Sequence, residues 1–176
     1  MKLIESDPSL AAVCRLVEGR LQEIPSLAAV EIPVVLLPDF SQLGPPVTAR
    51  DPTAYNRSEK RIFVNARVFP SFREGAAQFA LAHEIGHHAH DTGISGVLPG
   101  AKALHPCLIA DWLAAQWGFS EEMRRERLAD RGPEYCDKLS SISTEEDLLL
   151  WVAGWEPRYR MAKLLGRNIA PPKLRL

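Results

Sequence analysis

The chain has 176 residues, 46% of them hydrophobic, with 21 basic against 22 acidic side chains and a formal charge of -1. That length predicts one domain over residues 1–176, able to bury about 70% of the surface its unfolded form exposes, so no disulfide staples are needed. The charge balance argues against a partner held by phosphate attraction, and the lack of a run of 18 apolar residues argues against a membrane-spanning helix.

The opening segment, Met1 to Pro8, carries no long uncharged apolar core and does not read as a signal peptide. Cys14, Cys107 and Cys136 form an odd set at wide spacings, which suits reduced thiols in a cytoplasmic protein. Ser6 or Asp7 before Pro8 predicts a helix start, and apolar residues at Leu10, Val13, Cys14, Val17 and Leu21 predict an amphipathic helix over Leu10 to Ile24. Cys14 sits in that stripe as a small core hydrophobe. Val30 to Leu37 reads as a strand, with Pro33 confining it to a sheet edge or a strand start.

Gly44 to Pro52 is a loop by composition, and Thr53-Ala54-Tyr55 and Arg61 to Asn65 flank a polar turn, predicting a hairpin. A helix follows over about Arg73 to Ala89, then a loop from Asp91 to Gly100. The next helix runs from Pro106 to Trp117, with Gly118 as its C-cap. Ser120 begins another, with carboxylates in its first turn and arginines beyond. Interleaved acids make its run Arg124-Arg125-Glu126-Arg127 read as a solvated face; a nucleic-acid role for Arg124 to Arg131 is the weaker reading. Tyr135 and Cys136 fall in an amphipathic segment that reads as core. Ser143 or Thr144 caps a last apolar helix, Leu148 to Ala153.

Four of the five histidines fall in His83-Glu84-Ile85-Gly86-His87-His88-Ala89-His90. Residues four apart stack on one helix face, so His83 and His87 can aim two imidazoles at one zinc ion. Glu84 lies about 100° round the helix, placed to reach a metal-bound water as general base without ligating the metal. Ala76, Ala77, Ala80, Ala82 and Gly86 are small and allow close packing against this helix. His88 points away from the ligand stripe, as a surface residue or one behind the ligands. His90 is on the stripe but about 10 Å further along the axis. A catalytic zinc needs a third protein ligand and one open position.

Strand pair, helix with His-Glu-Ile-Gly-His, loop, and a helix bearing Ala110-Asp111 together resemble the ImmA/IrrE-type metallopeptidases, small relatives of the thermolysin-like zincins. The resemblance covers about residues 55–119, leaving 120–176 as a helical C-terminal extension. It implies an α+β, zincin-like fold with a small twisted sheet packed on the active helix. It also implies a zinc-dependent regulatory protease acting on few peptide or protein substrates, often a repressor. The family's pattern places a glutamate where this chain has Cys107, and implies Asp111 as the carboxylate that hydrogen-bonds a ligand histidine. Cys107 is thus a candidate third ligand, with His105, Asp111 and His90 as alternatives. If Cys136 joined as well, the site would be closed and structural. Tyr55, Tyr135 and His105 are candidates to approach an oxyanion. The rival to an enzyme is an inactive zinc-bound interaction or sensor module with a protease-like fold.

Overall fold

The computed structural model describes residues 1–44, 47–94 and 106–164, and among them the chain is α+β. Strand β1 (Lys2–Glu5) leads through a short turn to helix α1 (Ala11–Leu21), followed by β2 (Glu31–Leu37), β3 (Thr53–Asn56) and β4 (Arg61–Asn65). Helices α2 (Glu74–Thr92), α3 (Pro106–Ala114), α4 (Ser120–Arg131), α5 (Pro133–Ser141) and α6 (Glu145–Leu164) complete it. The sheet is mixed, in the order β1-β2-β4-β3, with β1, β2 and β4 parallel and β3 antiparallel to β4.

The hairpin forms as expected, with Ala54 opposite Phe63 and Tyr55 opposite Ile62, and β3 is left as an outer strand. One strand has no counterpart in the sequence reading, and another corrects it. Residues 2–5 form a strand of their own, of which only Leu3 is buried, so no alternation announced it. The correction concerns β2, which lies inside the sheet rather than at its edge, with Pro33 at the start of its pairing with β4. The carbonyls of Val30 and Val34 accept from Lys2 and Ser6 on the β1 side, so Pro33 presents its missing N–H toward β4. Pairing with β4 begins only at Val34, one residue further on, and no ladder bond is lost.

The strands split their side chains between two layers. Ile32, Val34, Ile62 and Val64 face the helices in the main core, while Phe63 and Ala54 turn to the other face and pack with Phe40 from the loop after β2. Asp7 caps the first turn by accepting from the Ser9 N–H at 2.8 Å, with Pro8 just inside. Cys14 is buried in the core, as its stripe predicted. Helix α2 is longer than its periodicity suggested, because Gly93 ends it in the left-handed region (φ 74°). Gly118 (φ 89°) likewise ends the α3 segment, after a widened turn over 115–119. Thr144 caps α6, its hydroxyl accepting from the Asp147 N–H at 3.2 Å, and that helix runs well past Ala153.

Candidate metal centre

Helix α2 is buried along most of its length, and its stripe of small residues meets α3. A Cβ added to Gly86 would sit 2.9 Å from the Ala110 Cα and 3.0 Å from its carbonyl oxygen, so only glycine permits this crossing. The close approach brings two i, i+4 pairs face to face: His83 and His87 on α2, Cys107 and Asp111 on α3.

The donor atoms of His83, His87 and Cys107 all lie within 4.8 Å of one another. The His83 and His87 Nε2 atoms are 3.1 Å apart and their rings meet edge to face. Two nitrogens bound tetrahedrally at about 2.0–2.1 Å would lie roughly 3.3 Å apart, so the pair already has ligand spacing. Two imidazoles and a thiol suit a borderline-soft divalent ion, and the three residues fit such a group.

The cluster lies in the wall of a cleft of about 790 Å³, bordered by β3 on one side and by Phe72, Phe79 and Pro106 elsewhere. Glu84 opens into the same cleft, is itself 7% exposed, and accepts a hydrogen bond from the Thr53 hydroxyl at 3.1 Å. That bond ties its carboxylate to the outer strand.

Behind the cluster is a buried polar knot. Asp111 is fully buried and accepts from His83 Nδ1 at 2.8 Å, so a neutral His83 keeps its Nε2 lone pair toward the cleft. Arg127 from α4 donates to the same carboxylate through Nε (3.0 Å to Oδ2) and Nη2 (3.0 Å to Oδ1), and the Tyr135 hydroxyl from α5 donates at 2.9 Å. Burial alone would raise Asp111, but the Arg127 and His83 charges hold it well below the usual carboxylate range. Burial pulls His83 down, yet the Asp111 charge and hydrogen bond, with a further hydrogen bond that the protonated ring donates to Cys107, lift it to about 9 in the metal-free protein. Burial and Asp111 push the Tyr135 hydroxyl far up, so it stays a donor.

His83, Glu84, His87, Cys107 and Asp111 are therefore brought together. Cys136 is not: it is buried on α5, with its thiol 4.0 Å from the Arg124 carbonyl, and its burial raises its pKa. His90 is outside the three-residue cluster, and His105 lies outside the described residues. His88 is not a surface residue; it is 6% exposed and meets the Tyr55 ring edge-on. Tyr135 cannot approach an oxyanion, being buried on Asp111, and the Tyr55 hydroxyl donates to Asp91 at 3.3 Å.

The solvated reading of the arginine run holds for Arg124, Arg125 and Glu126 and needs correction only at Arg127. Arg127 turns inward to Asp111 and stacks over Phe79, while Arg124 pairs with Asp137. Sequence reasoning missed Arg127, Thr53 and the Tyr135–Asp111 bond. One signal was available: Arg127 is one turn beyond Met123, the buried residue of α4, and so shares its inward stripe.

No family model, no curated protein and no solved structure matches the chain. Among the described residues no helix is long and apolar enough to cross a membrane.

Proposed function

We propose that the chain is a zinc-dependent peptidase of zincin-like fold, with His83, His87 and Cys107 as metal ligands and Glu84 as the catalytic acid–base. The observation that carries this reading is the convergence of three donor atoms within 4.8 Å in a cleft wall that also presents a carboxylate. A His2Cys set leaves one of four positions open, which distinguishes a catalytic centre from a structural one, and Cys136 is too deep in the core to fill it.

Zinc held there supplies Lewis acidity, polarising a carbonyl and making water more acidic. Glu84 takes a proton from the attacking water and returns it to the departing amine. The Thr53 hydroxyl occupies one Glu84 oxygen, Oε1, which leaves the other for proton transfer. Asp111 fixes the ring of His83, and the outer strand β3 can pair with an extended peptide lying in the cleft.

The test is Glu84→Gln in the full chain. It retains zinc and loses peptide hydrolysis by at least about 10²–10⁴-fold, the usual worth of a positioned acid–base. A biological effect that survived this substitution unchanged would favour the zinc-bound interaction module instead.

A further inference from the structure

We infer that Arg127 and Tyr135, from the two helices that follow the HExxH and Cys107/Asp111 segments, are positioning residues of the metal centre, and that metal binding is coupled to the docking of α4 and α5. The inference rests on the metal-site reading and adds to it the part of the chain that the HExxH pattern does not reach.

The argument is one of lone pairs and direction. A carboxylate offers about four acceptor sites. On Asp111 these are taken by His83 Nδ1 at 2.8 Å, Arg127 Nε at 3.1 and 3.0 Å, Arg127 Nη2 at 3.0 Å and the Tyr135 hydroxyl at 2.9 Å. The forked guanidinium fixes the carboxylate plane as a single donor could not. With its plane set, Asp111 can hold the His83 ring in one orientation, with Nε2 directed at His87 and Cys107. Remove the fork, and the carboxylate can rotate about its last bond while His83 loses its fixed partner.

Arg127 is also held from its other side. Its guanidinium lies over the Phe79 ring at 5.2 Å, and Phe79 is one turn before His83 on α2. The α5 end is fastened to α3 and the widened turn after it through the Ile142 carbonyl, which accepts from Trp112 Nε1 at 2.9 Å and Gln116 Nε2 at 2.8 Å. Residues from α2, α3, α4 and α5 thus meet at one carboxylate. Linkage is reciprocal: if the docked helices strengthen metal binding, bound metal must tighten their docking by the same factor.

The experiment measures zinc affinity by competition with a chromophoric chelator, and amide exchange across α4 and α5 with and without zinc, in the full chain. Arg127→Met is expected to weaken zinc about 10–100-fold, the usual effect of losing a partner of a metal ligand. Arg127→Lys should recover part of that loss, and Tyr135→Phe, which keeps the packing, should weaken zinc several-fold. Zinc should slow exchange in α4 and α5 of the wild type and do so less in Arg127→Met. If Arg127→Met fails to fold, Tyr135→Phe and Arg127→Lys carry the test.

Wild-type protein that binds zinc, with the folded variants binding within twofold of it, would overturn this inference and leave the metal site standing. Zinc binding without any change in α4 and α5 exchange would overturn the coupling. Wild-type protein that takes up no zinc would overturn the metal site itself.

Discussion

The two nitrogens of His83 look into two different regions. Nε2 faces an open, largely apolar cleft with His87, Cys107 and Glu84 nearby; Nδ1 faces a buried knot in which every group is hydrogen-bonded. The open side has few groups, and all of them line the cleft. The closed side has no free capacity and supplies orientation. On the proposed reading, chemistry and rigidity are separated across one imidazole ring.

The comparison breaks most severely on the open side. Cys107→Ala removes the sole sulfur donor of the cluster and should abolish stable zinc uptake, measured by elemental analysis, whereas Cys136→Ala should leave zinc content unchanged. Loss of zinc in both would mean a closed site. Next in size is Gly86→Ala. Its methyl would meet the Ala110 backbone at 2.9 Å and must push α3 from α2, separating both sides at once. Overpacking of this kind costs about 1–3 kcal/mol, and thermal melting should show it together with weakened zinc binding. A melting temperature equal to the wild type would argue against the tight crossing.

Thr53→Val sharpens the open side alone. Losing the hydroxyl that orients Glu84 should lower kcat several-fold with little change in KM or zinc content, and Thr53→Ser should restore it. Equal kcat for both variants would remove Thr53 from the account.

The smallest effect concerns the closed side without metal. His83 is raised from 6.5 to about 9, so its proton stabilises the fold fully below about pH 6.5, and that contribution fades as pH rises through 9. In chelator, melting should fall by a few degrees between pH 6.5 and 9.5, and Asp111→Asn should flatten this His83-linked part of the slope. A slope unchanged by Asp111→Asn would show that the pair does not set it.

The open side was largely legible in the sequence and the closed side was not. His83, Glu84 and His87 are fixed by helical geometry within five residues, whereas Cys107, and Asp111 on the closed side, were indicated only by the resemblance to the metallopeptidase pattern. Gly86 could be read as a packing residue, though not its partner Ala110. Arg127 was obscured because its neighbours Arg124, Arg125 and Glu126 are charged, and periodicity gives a face without naming the helix that covers it. The interior place of β2 was hidden by Pro33, whose cost depends on which side its nitrogen faces and where the ladder starts. Strand β1 is four residues long and owes its place to pairing with β2, a contact nearly 30 residues away in sequence.

Zinc X-ray absorption on the purified 176-residue chain addresses the ligand set most directly. One ion per chain is expected, with two nitrogen scatterers at about 2.0–2.1 Å, a single sulfur at about 2.3 Å and one light oxygen from solvent. A chain that retains no zinc, or a spectrum with two sulfurs and no solvent oxygen, would contradict an open His83–His87–Cys107 centre.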